Sequence, residues 1–292
     1  MFVRRGLGAV AVVLAAFTGV GCSTEAPAVP VAASSSVAPA VRSAVAPERV
    51  VVRDDLRRVF TRLGVDGAFA MTDVARRETV VVNARRAAER RVPASTFKIP
   101  HSLVALETGA VRDVDEVIPW NGKPQPFPEW EQDMSMRQAI TASNAGIYQV
   151  LAQRIGLARE KAWLHRLGYG NQATGADVTQ FWLDGPLRIS PREQASFLTR
   201  LARQELPASK TSQRAVRDII KIEQKNGYTL YAKTGWQFVP DAPDLGWWSG
   251  WIERGNRTYT FSLNMDLPRD DLAAQRVPTG RELLTALKAL PT

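Results

Sequence analysis

The sequence predicts an α+β domain: a mostly antiparallel sheet assembled from N- and C-terminal strands, packed by helices and carrying an inserted helical subdomain. Three observations predict it. Short apolar runs of strand character stand at Gly67–Thr72 and Thr79–Val82, and three more stand far downstream at Tyr228–Ala232, Trp247–Ile252 and Thr258–Asn264. Between the two groups the apolar residues recur with helical period. The 292 residues are 45% hydrophobic and 23% charged, which supplies a core and excludes a disordered, collagen-like or disulfide-stapled chain.

Each element has a local reason. Asp73–Glu78 separates the first two runs and reads as a hairpin, and Gly255-Asn256 is a two-residue hairpin signal joining the last two. Ile147, Val150, Leu151 and Ile155 fall on one helical face, and Gly156 ends that run. Leu198, Leu201 and Ala202 follow Ser190-Pro191-Arg192-Glu193, a capping box with proline at the first helical position. A last helix is predicted over Thr279–Leu290.

The N-terminus has another character. Met1–Arg5 carries two arginines, and Leu7–Val20 is an apolar run of export-signal length, short for a membrane span. Cys22, the one cysteine in the chain, stands in Gly19-Val20-Gly21-Cys22-Ser23 and resembles the lipidated cysteine of a bacterial lipobox, although Gly19 stands where such boxes usually carry Leu. Ala26-Pro27-Ala28 is the alternative, an ordinary cleavage site. Residues 1–22 are therefore expected to be an export signal, placing the protein in the periplasm or another extracytoplasmic space, with a lipid anchor at Cys22 as one form of the mature end. Residues 23–49, built from Ala, Pro, Ser and Val, are expected to be an extended linker, and 50–292 the catalytic domain. The folded part then has no disulfide, thiolate metal site or cysteine nucleophile.

The formal charge is +9; four of the 38 basic and two of the 29 acidic residues precede Val50, so the domain keeps +7. In an exported protein this points to small anionic ligands or wall polymers, with no nucleic-acid partner. The Arg85-Arg86 and Arg90-Arg91 pairs read as a solvated loop.

Two histidines, at 101 and 165, leave few choices for a histidine base and no His-x-x-x-His metal pattern, so no metal is expected. Lysine becomes the candidate base. In Ser95-Thr96-Phe97-Lys98, at the head of the helical segment Ile99–Thr108, serine and lysine lie about 60° apart around a helix axis, whereas His101 lies about 120° from Ser95. Ser95 and Lys98 can touch. A lysine acts as a base only when unprotonated, and burial among Phe97, Ile99 and other apolar side chains would lower its pKa. A neutral amine can also take up carbon dioxide as a carbamate, an anionic base.

Further motifs follow in order: Ser143-Asn144-Ala145 in the helical region, Tyr169-Gly170-Asn171, Phe181-Trp182-Leu183-Asp184-Gly185, and Lys233-Thr234-Gly235 on a predicted strand. Ser-x-x-Lys with a second serine motif and Lys-Thr-Gly marks serine β-lactamases and penicillin-binding proteins. Pro93-Ala94-Ser95-Thr96-Phe97-Lys98-Ile99-Pro100, Tyr169-Gly170-Asn171 and Phe181–Gly185 resemble the class D β-lactamases, the oxacillinases, from about Gly64 to the C-terminus.

That resemblance implies hydrolysis of β-lactams through an acyl-enzyme. Ser95 would be the nucleophile and Lys98, N-carboxylated, the general base, with the Trp182 indole holding the carbamate. Ser143 would relay a proton to the leaving nitrogen. Lys233, Thr234, Gly235 and an arginine would bind the substrate carboxylate, and the backbone N–H groups of Ser95 and Trp236 would form the oxyanion hole. The arginine is assigned to Arg276, after the last strand and before the final helix, with Arg269 as alternative; Tyr169 is placed with the substrate-binding residues. No cofactor is implied beyond carbon dioxide or bicarbonate for the carboxylation. The stretches Ile118–Glu131 and Gln237–Leu245 are expected to border the mouth. His165 and the tryptophans at 247, 248 and 251 are read as structural.

One departure stands out: Ala145 occupies the place where the family's second motif usually has Val, with polar Asn144 before it. Two other readings carry different functions, a penicillin sensor that stays acylated and a cell-wall D,D-peptidase.

Overall fold

The computed structural model describes residues 49–225 and 227–291. The segment expected to be an export signal, Cys22 and the expected linker up to Glu48 lie outside the described residues. In chain order the elements are β1 (Arg49–Val52), α1 (Arg58–Thr61), β2 (Gly67–Asp73), β3 (Glu78–Val82), α2 (Ala84–Ala88), α3 (Lys98–Glu107), β4 (Val117–Ile118), β5 (Met134–Ser135), α4 (Met136–Ala142) and α5 (Ala145–Ile155). They continue with α6 (Leu157–Leu167), α7 (Pro191–Ala202), α8 (Lys210–Ile219), β6 (Lys221–Lys225), β7 (Tyr228–Gln237), β8 (Asp244–Arg254), β9 (Arg257–Leu267) and α9 (Arg276–Ala286).

Among the described residues a seven-stranded sheet runs β1-β3-β2-β9-β8-β7-β6, antiparallel except where β1 pairs with β3. The predicted α+β class holds, and both predicted hairpins form: Asp73 pairs with Glu78, and Arg254 with Arg257 across Gly255-Asn256. The two edge strands were not foreseen. β1 begins at Arg49, paired with Glu78, so the strand starts inside the expected linker.

Side-chain size on the two faces decides what packs where. In β2, Phe69 and Met71 join one core with Phe261, Leu263, Leu283 and Leu284, under α1 and α9. On the opposite face Ala68 and Ala70, with Val81, meet Ala87 of α2 and Ala195 of α7; these small side chains let the helices approach the sheet closely. The helical block between β3 and β6 has its own core, built on Leu103, Ile140, Leu151, Leu164 and Leu198 and reaching Trp251 of the sheet.

Caps set the helix ends. α7 starts with the predicted capping box, in which the Ser190 hydroxyl accepts from Glu193 N–H while the Glu193 carboxylate accepts from Ser190 N–H. α5 ends at Gly156, where φ is +80°. The final helix spans Arg276–Ala286, beginning three residues before its predicted start, because a 3₁₀ turn over Asp270–Gln275 leads straight into it.

The solvated loop expected around Arg85-Arg86 is corrected at one residue. Arg86 is buried; its guanidinium donates to Asp266 at 2.6 and 3.0 Å, to Asp66 at 3.2 Å and to Asn264 at 2.9 Å. A buried guanidinium is tolerated only when so paired.

Candidate active site

Ser95 sits in a 3₁₀ turn, Ala94–Phe97, that runs into α3, whose first residue is Lys98. Ala94, just before the serine, has φ +47°, a left-handed conformation that costs a non-glycine residue about 1 kcal/mol or more. The turn presents Ser95 half-exposed while Thr96, Phe97 and Lys98 are fully buried. Lys98 Nζ lies 2.7 Å from Ser95 Oγ. Burial, and secondarily the charge of Lys233, hold the Lys98 pKa well below the ordinary lysine value.

Ser143 lies in the helical region, as its motif's place suggested. It occupies the junction between α4 and α5 with φ +59°, turning its hydroxyl to accept from Lys233 Nζ at 2.9 Å. Asn144 is fully buried and spent on structure: its Oδ1 caps α5 by accepting from Ile147 N–H, and its Nδ2 donates to the Trp130 carbonyl and faces Met134 Sδ. Ala145 opens α5, half-buried.

Lys233, Thr234 and Gly235 lie on β7 beside the serine turn. A β-carbon on Gly235 would stand 3.1 Å from the Pro93 carbonyl and 3.2 Å from Thr96 Cγ2, so glycine here lets the strand approach the nucleophile's turn. Burial, then the nearby Arg276, lower the Lys233 pKa to about 7. Arg276 is the first residue of α9 and donates to the Gly235 carbonyl at 2.6 Å and to Ala273 O at 2.5 Å, its guanidinium 5.5 Å from the Trp236 ring. Burial lowers its pKa to about 10. Gly246 on β8 makes room for it, since a β-carbon there would meet Arg276 Cδ at 2.8 Å. Among the described residues neither Lys233 nor Arg276 has a carboxylate at ion-pair distance. Arg269 instead pairs with Asp271 at 3.0 Å.

Ser95, Ser143, Thr234, Gly235, Trp236 and Arg276 line one cleft of about 200 Å³. Phe127, Glu129 and Trp130 border it on one side and Phe238, 58% exposed, on the other, within the two stretches expected at the mouth. Phe127 packs edge-on against Trp130, with ring centroids 4.8 Å apart, and Phe238 lies 4.9 Å from the Trp236 ring.

Trp182 is fully buried, its ring 5.6 Å from Phe97, and its indole N–H has no hydrogen-bond partner among the described residues. Such an orphaned donor next to a helix carrying a buried lysine of lowered pKa fits an added anionic group on Lys98. Tyr169 does not reach substrate space, contrary to its expected placement. It is fully buried against Phe97 and Phe197 at 5.6 and 5.0 Å. Its motif instead clamps the Trp182 segment: Asn171 Nδ2 donates to the Pro186 carbonyl, Asn171 Oδ1 accepts from Arg188 N–H, and Leu187 N–H bonds Phe181 O. The side chains at the mouth carried no motif and were legible only as a stretch. The tryptophans at 247, 248 and 251 are buried, and Trp247 Nε1 donates to the Val92 carbonyl.

Residues 67–285 match the penicillin-binding protein transpeptidase domain family. The chain is 37% identical to β-lactamase OXA-5 of Pseudomonas aeruginosa over 232 residues, 79% of this chain and 85% of that protein. It is also 37% identical to β-lactamase OXA-48 of Klebsiella pneumoniae, covering 80% of this chain and 87% of that one. The solved class D β-lactamase YbXI from Nostoc superposes with a TM-score of 0.77 at 40% identity, over 81% of this chain and 99% of that one. With a serine in contact with a fully buried lysine of lowered pKa, beside two basic side chains that have no carboxylate partner among the described residues, and with this similarity along most of its length, the chain belongs to the class D serine β-lactamases.

Proposed function

We propose that this protein hydrolyses β-lactams through an acyl-enzyme on Ser95, with the base at Lys98. The observation that carries the reading is the 2.7 Å contact between Ser95 Oγ and a fully buried, pKa-depressed Lys98. As Ser95 Oγ attacks the lactam carbonyl carbon, its proton passes to the base at Lys98, and the oxyanion is received by the N–H groups of Ser95 and Trp236. The C–N bond then breaks, and the nitrogen takes a proton through Ser143, which Lys233 donates to. Once the base at Lys98 has passed the Ser95 proton on through Ser143 to the leaving nitrogen, it takes a proton from water, whose oxygen attacks the acyl carbon, and returns that proton to Ser95 Oγ as the acyl C–O bond breaks. Lys233, Thr234 and Arg276 hold the substrate carboxylate, Gly235 letting the strand approach.

Lys98 is N-carboxylated in this reading: its neutral nitrogen bonds to the carbon of CO₂, an N–H proton leaves to solvent, and the product is an anionic carbamate. That group would supply an oxygen base at neutral pH. Trp182 Nε1, which has no other partner among the described residues, would hold it, and the wall formed by Phe97 and Tyr148 would limit the access of water. Residues 1–22 would direct export, with Cys22 as the site of a lipid anchor.

The test mixes the domain from Arg49 onward with excess penicillin and follows β-lactam absorbance and intact mass together. Repeated turnover with little accumulated adduct is expected. A stoichiometric adduct that persists would move the protein to the sensor or D,D-peptidase reading, and neither adduct nor turnover would end the proposal.

A further inference from the structure

Among the described residues two charged side chains line the cleft, and they have opposite sign. Arg276 is one; the other is Glu129, which no step of the proposed reaction uses. Glu129 sits in a 3₁₀ turn, Pro128–Trp130, at the mouth. The acids that follow it are spent on the loop itself: Glu131 accepts from Gln125 N–H at 2.9 Å, and Asp133 accepts from Trp120 N–H at 2.9 Å. Glu129 is exposed, and its carboxylate has no ion-pair or hydrogen-bond partner among the described residues.

The turn that carries it is fastened to the second serine motif. Trp130 Nε1 donates to the Ala142 carbonyl at 3.1 Å, and the Trp130 carbonyl accepts from Asn144 Nδ2 at 3.0 Å, so both neighbours of Ser143 hold it. Trp130 N–H bonds the Phe127 carbonyl at 3.0 Å, closing the turn under the Phe127 ring. The carboxylate is thus carried on anchored backbone at one wall of the cleft. A penicillin has its carboxylate beside the ring nitrogen and its acylamino side chain on the carbon at the other side of the lactam carbonyl. With the carbonyl at Ser95 and the carboxylate on Lys233 and Arg276, that side chain leads away from both cations toward the mouth. There Phe127, Trp130 and Phe238 are uncharged, and Glu129 supplies the charge.

We propose that Glu129 is a specificity-determining residue that favours β-lactams whose acyl side chain carries a cation, such as a protonated α-amine, and disfavours those whose side chain carries a second carboxylate. The inference rests on the hydrolase reading above and names its substrate class. The cleft holds about 200 Å³, so a side-chain charge at its mouth and Glu129 face each other within the ~8 Å over which charges act at physiological salt. The cationic end takes the carboxylate that all these substrates share, and the acid sorts them by the rest of the molecule.

The experiment uses the whole domain and three penicillins. Benzylpenicillin, ampicillin and carbenicillin share one scaffold and one phenyl ring and differ at the side-chain α carbon, which carries hydrogen, ammonium or carboxylate. At pH 6, below the ordinary α-amine range of about 7.7–8.0, the amine is charged. Each kcat/KM is divided by that for benzylpenicillin; where adduct accumulates, the acylation rate constant from intact mass replaces it. In Glu129→Gln the ampicillin ratio is expected to fall about threefold and the carbenicillin ratio to rise about threefold, the scale of an exposed ion pair. Glu129→Lys should move both ratios further in the same directions, and added sodium chloride should shrink the differences. Ratios that stay at the parent values in both variants, or a loss shared equally by the three substrates, would overturn the inference and leave the hydrolase reading standing. Neither adduct nor turnover with any of the three in the parent protein would overturn both.

Discussion

Lys233 Nζ donates to Ser143 Oγ at 2.9 Å, joining a strand residue to the left-handed residue between α4 and α5 across 90 positions of sequence. The bond sets a positive group at the mouth and a hydroxyl proton relay at one point. Its electrostatics are tense, because Lys233 is buried near Arg276 and its pKa is lowered to about 7.

A pH dependence follows. Below about pH 7 Lys233 in the free enzyme is charged and attracts an anionic substrate; above it the charge is lost. For an anionic β-lactam, kcat/KM is expected to fall as pH rises through about 7. Stability moves the other way. The unfolded lysine titrates near ~10.4, so between about 7 and ~10.4 the unfolded chain binds more protons and folding is progressively favoured as pH rises. Urea unfolding across that range should show the slope, and Lys233→Met should flatten it.

Arg276→Ala should raise KM for an anionic substrate by about 10- to 100-fold with a smaller effect on kcat, the scale of a charged hydrogen bond worth about 1.5–3 kcal/mol. Gly246→Ala makes a sharper test. It leaves the guanidinium in the chain but pushes on Arg276 Cδ, 2.8 Å from the new methyl, and should raise KM in the same direction. Steady-state kinetics on a chromogenic cephalosporin reads both.

Trp182→Phe removes an N–H that has no partner in the described structure while keeping a buried ring. If that donor served nothing, its loss would leave stability and activity unharmed, since an unsatisfied buried donor costs about 1–3 kcal/mol. The expected result is activity reduced by about 10-fold or more, taking hydrogen bonds to charged groups at about 1.5–3 kcal/mol, and partly restored by added bicarbonate. Turnover with and without bicarbonate, beside a thermal melt, checks it.

Arg86→Met should destabilise the fold without touching the cleft. The substitution leaves Asp266, 31% exposed, and Asp66, 42% exposed, without their buried partner. Because both acids keep access to water, the loss should be about 3 kcal/mol, at the lower end for breaking a buried pair. A melting temperature lower by about 6–12 °C, with kcat/KM near the parent value at 25 °C, is the expected outcome.

What the residues by themselves determined about this protein is local. Ser95 and Lys98 meet because three positions on a helical path bring side chains together wherever the helix lies in the fold. The capping box at Ser190, the stop at Gly156 and the turn at Gly255-Asn256 are equally local, and the strands on either side of a helical middle were enough for the α+β class. Tertiary structure alone decided what depends on register and burial. It set Arg276 against the Gly235 carbonyl across 41 residues, buried Arg86 between acids far along the chain, and buried Tyr169 against Phe97 and Phe197. It also placed Glu160 on His101, a pairing between two helices that no period reveals. A polar residue reads as exposed until its partner is known, and the partner is supplied by how distant segments pack.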